Sequence, residues 1–268
     1  MAPTSTTALH LRQRVLEDKK LDSVDSLNAI LRLMAQWRAT VIARTYVQHH
    51  GLKIYSGPFE GMEYLTYATE GCLVPRLIGC YESELHEDLK WFAKSGIDTI
   101  VDIGCAEGYY AVGLARLIPT ATVHAFDIEE RARQGCADLA KRNGVEDRVI
   151  IRGEFVGAMF DDYVEKNTLV FIDAEGFEDE IMQPDLYPGL KKLNIIMETP
   201  PAFVPGVVER MHERFGPTHE ISIREQAPKT MPLPPWLRRL GHLDQLIAVW
   251  EFRATMTPWL VMKPRAQS

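Results

Sequence analysis

The stretch that decides the fold reads Thr99-Ile-Val-Asp-Ile-Gly-Cys-Ala-Glu-Gly-Tyr-Tyr-Ala111. It begins with β-branched and apolar residues, which are typical of a buried strand, and it includes an acidic residue, Asp102. A tight turn with Gly104 and Gly108 follows, and the residues behind it predict a helix over 108–117. Glycine tolerates positive φ and lets a ligand approach the backbone without meeting a Cβ. The stretch therefore predicts a strand–turn–helix unit that binds a ligand at its turn.

The next predicted strand, Thr122–Phe126, leads into an acidic residue, Asp127, nineteen residues after Gly108. An acidic side chain at this point can accept both hydroxyls of a ribose. Dinucleotide-binding folds share this residue but carry G-x-G-x-x-G, which places a pyrophosphate at a helix N-terminus. Here the two loop glycines are four residues apart, and the carboxylates of Asp102 and Glu107 would repel a pyrophosphate. The loop therefore favours a positively charged nucleoside.

From Glu84 onward, β-rich runs alternate with helical patterns, such as the helix predicted over Glu130–Arg142. Strands separated by helices of this length predict an α/β fold. We expect a doubly wound, mostly parallel, seven-stranded sheet with helices on both faces. Such sheets bind ligands beyond the carboxyl ends of their strands, where the strand order reverses. After the first two strands, the predicted strands are Arg148–Arg152, Leu169–Ile172, Asn194–Met197, Ile221–Ile223 and Gln245–Trp250.

An N-terminal helical extension precedes the sheet. Ser23 and Asp25 are suitable N-caps, and Gly51 is suited to end the helix. The three- and four-residue spacing of apolar side chains predicts one apolar helix face, made of Leu27, Ile30, Met34, Trp37 and Val41. That face must pack on the rest of the chain or on a second copy, so a homodimer through these helices is one expectation. The chain divides into the extension over residues 1–50, bridging strands and loops over 51–83, and the main domain over 84–268.

The composition of the chain indicates which classes of molecule it binds. The chain has 268 residues, a net charge of −7 and no Lys/Arg-rich tract, whereas nucleic-acid binders usually present a basic surface. No apolar run reaches the ~18 residues of a membrane span, and no apolar secretory core is visible. The four cysteines show neither C-x-x-C spacing nor a disulfide framework. We expect a cytoplasmic protein that acts on a small molecule, without nucleic-acid or membrane partners.

The pattern D-x-G-x-x-x-G, followed by the acidic end of the next strand, resembles the first two motifs of class I S-adenosylmethionine (SAM)-dependent methyltransferases. The resemblance implies the same Rossmann-like fold and SAM as the cofactor, whose ammonium and sulfonium suit an acidic loop. It also implies that Cys105 packs as a small residue against the cofactor and that Glu154 and Phe155, after the third strand, line the adenine. The implied cofactor-binding residues are Asp102, Gly104, Cys105, Ala106, Glu107, Gly108, Tyr109, Asp127, Ile128, Glu154, Phe155 and Asp173.

The fourth strand is followed by Asp173-Ala-Glu-Gly-Phe-Glu178, and this D-x-E-G-x-E signature resembles FkbM-type methyltransferases. Tyr81-Glu82 before the first strand and Glu198 at the fifth support the resemblance, which covers roughly residues 57–198. Members of that family are mostly O-methyltransferases that act on polyketide or sugar hydroxyls. The residues that the resemblance implies are Tyr81 and Glu82 at the cofactor, and Asp173, Glu175 and Glu198 on the reaction side.

A hydroxyl acceptor must lose its proton as the new bond forms, either to a general base or with help from a metal. The predicted topology places two histidines on the cofactor side, His86 and His242, of which we favour His242. A metal would use Asp173 and Glu198, hard oxygen ligands of the kind that Mg²⁺ prefers. The sequence Thr-Pro-Pro follows Glu198 where related metal-dependent enzymes add another ligand, so Mg²⁺ is the less favoured alternative.

These observations predict an enzyme that uses SAM to methylate a hydroxyl of a small natural product. Two alternatives stay open. One is methylation of an amine or amide nitrogen in a natural product, and the other is a SAM-fold protein that binds without catalysis. The intact glycine loop and Asp127 favour an enzyme, since a degenerate site would have lost part of this set.

Overall fold

The apolar runs of the sequence form one sheet in the computed structural model of the chain, which describes residues 3–17, 23–69, 72–174, 176–202, 204–230, 232–253 and 255–265. The strands are β1 (Thr99–Ile103), β2 (Thr122–Phe126), β3 (Val149–Arg152), β4 (Thr168–Ile172), β5 (Asn194–Glu198), β6 (His219–Arg224) and β7 (Trp259–Pro264). The α-helices are α1 (Pro3–Glu17), α2 (Val24–His50), α3 (Leu73–Ile78), α4 (His86–Phe92), α5 (Tyr109–Leu117), α6 (Glu130–Arg142), α7 (Glu178–Ile181), α8 (Val207–Phe215), α9 (Pro235–Arg238) and α10 (His242–Val249). Short 3₁₀ helices span Ser83–Leu85, Gly157–Tyr163 and Pro188–Lys192.

The sheet has the order β3-β2-β1-β4-β5-β7-β6, in which β7 runs antiparallel to β5 and β6 while the other pairs are parallel. All five residues of β1 and of β4 are buried, as expected for strands covered on both faces. Ile103 of β1 lies opposite Phe126 of β2 and Ile172 of β4, so the carboxyl ends of these strands are level. The predicted doubly wound, mostly parallel seven-stranded sheet is confirmed.

Alternate residues of the central strands supply two hydrophobic cores, one on each face of the sheet. Ile100 and Leu169 belong to the core that α2, α3 and α5 cover, whereas Val101 and Val170 belong to the opposite core. The first core also includes buried side chains of the bridging segment, among them Tyr64. The bridging segment is therefore packed into the main body of the protein.

Helix α2 begins and ends where the sequence predicts, but it buries a different face. The Ser23 hydroxyl accepts a hydrogen bond from the Ser26 amide at 3.2 Å, and Gly51 ends the helix with φ +65°. Leu27 is 54% exposed and Leu31 is 64% exposed, so the predicted homodimer through this helix stays a prediction. Small residues dominate the buried face because they let helices approach closely, and the apolar members of that face are Ala35, Ala39, Ile42, Ala43 and Tyr46.

In the described part of the chain, every helix is either too short or too polar to cross a bilayer.

The last predicted strand is wrong. Most of Gln245–Trp250 lies in helix α10, and the final strand is β7. Ile247 and Ala248 are buried in the core that α10 shares with α2 and α3, and the side-chain amide of Gln245 donates to backbone carbonyls at 3.0 and 3.2 Å. A short apolar run fits either a strand or a buried helix, so packing against neighbouring helices decides its conformation here.

The turn between β1 and α5 is formed by close contacts within the protein. Gly104 has φ +82°, and a Cβ on it would lie 1.8 Å from the carbonyl oxygen of Asp173, just after β4. Gly108 has φ +93°, and a Cβ there would lie 2.8 Å from the Cys136 sulfur. Contacts with neighbouring protein atoms therefore require glycine at these two positions. The sequence had instead predicted that the approach of a ligand requires glycine there.

Gly104→Ala is expected to lower the free energy of unfolding by about 3 kcal/mol or more, because left-handed strain and overpacking act together. Gly144→Ala is the matched control, since Gly144 has φ +63° but a Cβ there meets no atom within 4 Å. The control should lose only about 1–2 kcal/mol of backbone strain. Urea unfolding of both variants measures the difference, and equal losses would contradict the collision with Asp173.

Candidate functional site

A cavity of about 400 Å³ opens at the carboxyl ends of β1, β2 and β4, where the strand order reverses. Seven residues that the sequence predicts for the cofactor lie in its wall: Gly104, Ala106, Asp127, Ile128, Glu154, Phe155 and Asp173. Six other residues of the wall were not predicted from the sequence, namely Ile103, Phe126, Glu129, Gly153, Ala174 and Phe177. All of these except Phe177 adjoin a predicted residue in the chain, and that proximity is the signal that could have identified them.

Asp127 is fixed in the cavity wall by hydrogen bonds to backbone amides. Its Oδ2 accepts from the Ala106 amide at 2.9 Å, and its Oδ1 accepts from the Glu129 amide at 2.8 Å. Arg133 holds the same turn by donating to the carbonyls of Asp127 and Ile128, both at 2.8 Å. Each carboxylate oxygen has further lone pairs, so Asp127 can also accept hydroxyl groups of a ligand.

The cavity wall near Asp127 is largely apolar. Phe155 is buried, and its ring meets the Phe126 ring edge-on with the centroids 5.0 Å apart. Ile128 and Phe177 also line the cavity, and these residues are 74% and 38% exposed. An acid that accepts hydroxyls, together with apolar side chains that can flank a flat ring, suits a nucleoside.

Several predicted loop residues lie behind the turn. Glu107 is buried and accepts hydrogen bonds from the Tyr64 hydroxyl and from the Thr69 amide, the latter at 3.1 Å. Burial opposes ionisation of Glu107, but the Arg76 guanidinium and these hydrogen bonds outweigh it and lower the pKa. The charge of Glu107 therefore anchors the bridging segment. The other predicted residues outside the cavity wall at this turn are Asp102, Cys105, Gly108 and Tyr109.

Three carboxylates that are far apart in the sequence meet beside the cavity, and we call Glu82, Asp173 and Glu198 the carboxylate cluster. One oxygen of each lies within 4.8 Å of the others, and Asp173 also lines the cavity. Glu82 is fully buried and accepts a hydrogen bond from the Tyr110 hydroxyl. Burial raises the pKa of Glu82 to about 7, although the Arg253 guanidinium acts in the opposite direction. Asp173 and Glu198, the residues considered for Mg²⁺, thus converge, and Arg253 contacts one of them directly.

Tyr81 of the Tyr81-Glu82 pair and Glu178 of the Asp173–Glu178 segment make contacts within the protein. Tyr81 is buried, with the Arg76 guanidinium 3.9 Å from its ring centroid, and it lies outside the cavity wall. Glu178 closes the loop after β4 by accepting hydrogen bonds from the amides of Ala174 and Gly176, at 2.6 and 2.9 Å. Glu175 lies outside the described residues.

The two candidate histidines do not line the cavity. His242 is exposed, as the first residue of α10. His86 is buried, with Nε2 3.4 Å from the Tyr81 carbonyl oxygen, and burial lowers its pKa to about 4. Asp173 belongs both to the cavity wall and to the carboxylate cluster, so it is better placed than either histidine to face a ligand.

The chain is similar to known proteins in sequence and in structure. No family model matches the chain. The chain is 25% identical over 186 residues to a release factor glutamine methyltransferase of Flavobacterium psychrophilum, over 66% of the chain and 55% of that relative. The chain thus spans about half the length of this curated relative.

Solved structures with the same architecture include the human methyltransferase 10 domain containing protein, with a TM-score of 0.50 and 11% identity over 85% of this chain and 96% of that one. The chain has the class I methyltransferase fold. Another similar solved structure is an O-methyltransferase from Bacillus cereus in complex with SAH, with a TM-score of 0.46 and 16% identity over 67% of this chain and 80% of that one.

Asp102 is a buried acid behind the Gly104 turn. Its Oδ2 has no hydrogen-bond partner among the described residues. Burial and, second, the charge of Asp127 raise the pKa of Asp102 to about 8. Since an aspartate in an unfolded chain has a pKa of about 3.9, the folded protein keeps a proton that the unfolded chain releases above that pH. The contribution of this bound proton to the free energy of unfolding is therefore lost as the pH rises towards 8.

Asp102→Asn is expected to reduce this pH dependence, because asparagine mimics the neutral acid at every pH. Between about pH 5.5 and 8, the wild type should lose on the order of 2–3 kcal/mol more of its free energy of unfolding than the variant does. Urea unfolding of both proteins at the two pH values measures the difference. Parallel losses would show that Asp102 is already ionised in the folded protein at the lower pH.

Proposed function

We propose that this chain transfers the methyl group of SAM to a hydroxyl of a small-molecule acceptor, such as a sugar or a polyketide. The observation that carries the proposal is that Asp127, fixed by backbone amides, and Asp173 share the wall of one cavity around the Gly104 turn. The resemblance of the residues after β4 to the FkbM-type enzymes supports a hydroxyl acceptor.

The residues of the cavity wall fit the parts of SAM. Asp127 would accept the ribose hydroxyls, Ile128 and Phe155 would contact the adenine, and Glu154 would accept from its amino group. The combined negative charge of the acidic residues in the wall would attract the positively charged methionine end. A pyrophosphate would be repelled by these acids, so a dinucleotide fits this wall poorly.

SAM supplies a methyl group that is activated by its attachment to a positively charged sulfur. The acceptor oxygen bonds to the methyl carbon while the carbon–sulfur bond breaks, so the protein contributes mainly alignment of the two reactants. The proton of the acceptor must pass to a base as this happens. We assign that base to Asp173, because it joins the cavity wall to the carboxylate cluster.

A nitrogen acceptor is the second candidate, and the sequence similarity to a release factor glutamine methyltransferase favours it. Isotope-labelled SAM, incubated with candidate sugars, polyketides, amines and amides, distinguishes the two by mass spectrometry of the product. Label on a hydroxyl oxygen supports the first candidate, and label on nitrogen replaces it with the second. SAM binding without transfer to any acceptor class would support a binding protein.

Asp127→Ala should weaken SAM binding by about 1.5–3 kcal/mol, the range for hydrogen bonds that involve a charged group. Calorimetric titration with SAM measures the change. Asp147→Ala is the control, since Asp147 is an exposed acid away from the cavity wall. Unchanged affinity in Asp127→Ala would refute the ribose assignment, and a wild type that binds no SAM at high micromolar concentration would refute the proposed function.

Asp173→Asn should lower the rate of methyl transfer far more than it lowers SAM affinity, because the amide cannot take the acceptor proton. A decrease of about 10²–10⁴-fold in single-turnover rate is expected, the usual contribution of a general base. Rapid quench with labelled SAM, and with the acceptor that the labelling experiment identifies, measures the single-turnover rate. Calorimetric titration measures the affinity for SAM. Equal losses in rate and affinity would instead make Asp173 a cofactor ligand.

A further inference from the structure

Arg253 lies within the carboxylate cluster. Its guanidinium donates to the carboxylates of Glu82 and Glu198. It also donates to Thr257 Oγ1 at 2.5 Å and to Glu251 at 3.2 Å. The Arg253 side chain is 18% exposed and that of Glu82 is fully buried, so solvent ions screen these charges little. The planar guanidinium, with five N–H donors, is well suited to bind several oxygens at once.

Lys229 neutralises the acids behind the cluster. Its ammonium lies 2.7 Å from Glu84 and 2.8 Å from Glu251, and all three side chains are buried. Because Lys229 already compensates these two acids, the charge of Arg253 is available to Glu82 and Glu198. Arg253 is the cation that forms ion pairs with both Glu82 and Glu198.

The carboxylate cluster has the spacing of a metal site but contains a guanidinium. Mg²⁺ and Ca²⁺ bind oxygens at about 2.0–2.6 Å, so two ligands of one ion lie up to about 5 Å apart. One oxygen each of Glu82, Asp173 and Glu198 meets this spacing. Arg253 contacts two of these acids, and a second cation among them would be repelled at short range. The residues present fit a guanidinium better than a metal ion.

The backbone beside Arg253 is strained and is held from α2. Phe252 has φ +59°, a left-handed conformation that a bulky residue rarely adopts. Arg32 of α2 donates to the Phe252 carbonyl at 2.6 Å and to the Arg253 carbonyl at 3.4 Å. The Trp250 ring stacks on the Phe252 ring with the centroids 4.2 Å apart, and the Arg32 guanidinium lies 5.7 Å from the Trp250 ring. Strained backbone persists only where surrounding contacts enforce it.

We infer that Arg253 is the resident cation of the carboxylate cluster, in the place that a divalent metal would take, and that α2 positions it there through Arg32. The inference rests on the proposed function in one respect only, namely that the methyl acceptor binds beside the cluster. Arg253 holds the carboxylates of Glu82 and Glu198 in position next to Asp173, so it acts as a positioning residue. The N-terminal extension then supports the active site from outside the cavity wall.

Terbium titration tests the inference without any methyl transfer, because Tb³⁺ binds hard oxygen ligands and emits when nearby aromatic rings transfer energy to it. The aromatic donors are in place, since Tyr110 bonds to Glu82 and Trp259 pairs with Glu198 across the sheet. Arg253→Met should bind Tb³⁺ on the order of 100-fold more tightly than the wild type, because the carboxylates lose their resident cation. The double variant Arg253→Met/Glu198→Gln should lose this gain.

Three further variants separate the positioning role from a general loss of structure. Arg253→Lys keeps the charge and should exclude Tb³⁺ as the wild type does. Arg32→Gln should gain part of the Tb³⁺ affinity because Arg253 is released, whereas Arg44→Gln, an exposed arginine on the same helix, should gain none. Circular dichroism shows whether each variant is folded. If Arg253→Met does not fold, the Tb³⁺ affinities of Arg32→Gln and Arg253→Lys test the inference.

Three outcomes would overturn the inference or part of it. A wild type whose tight Tb³⁺ site is removed by Glu198→Gln would show that a metal can enter the cluster beside Arg253. A folded Arg253→Met that gains no Tb³⁺ affinity would show that the carboxylates do not form a cation site. Equal behaviour of Arg32→Gln and Arg44→Gln would remove the role of α2. Failure of the wild type to bind SAM would refute the proposed function and leave these results intact.

Discussion

The architecture of this protein depends on the close passage of the Gly104 backbone across the end of β4. The hydrogen at the Cα of Gly104 faces the Asp173 carbonyl, where a methyl group has no room. The Asp173 amide donates to the Ile103 carbonyl at 3.0 Å, and the Gly104 amide donates to the Phe126 carbonyl at 2.9 Å. These contacts tie the ends of β1, β2 and β4 together. As a result, Asp127 and Asp173 enter the wall of the same cavity, although they follow different strands.

Acidic side chains near this edge differ in function because they differ in partners. Glu107 points towards Arg76 and the bridging segment, and Glu82 is bound by Arg253. Asp127 accepts from backbone amides, which fix its position but leave its net charge in the cavity wall. A net negative wall around a nucleoside-sized cavity suits a positively charged ligand, and this is the physical basis of the proposed SAM site.

The N-terminal extension and the segment between β6 and β7 form one packed unit beside the site. Arg38 of α2 makes two hydrogen bonds to Asp244 of α10, at 2.6 and 2.7 Å. His49 stacks on Trp236 with the ring centroids 5.3 Å apart. Arg32 reaches the backbone at Arg253, whose side chain enters the carboxylate cluster. Substitutions in α2 can therefore affect the cluster through this unit, although α2 contributes no residue to the cavity wall.

The sequence by itself determined the features that short segments encode. The β1 strand, the glycine turn, helix α6 and the Ser23 cap of α2 follow from patterns within a few residues, because backbone preference and capping are local. The same patterns placed Asp127 at the edge of the sheet, since parallel strands present their carboxyl ends together. Tertiary structure alone decided that residues near 245 form a helix and that Arg253 joins Glu82, 171 positions away. Such contacts depend on how distant segments pack, and a local pattern holds no information about which charges will be buried together.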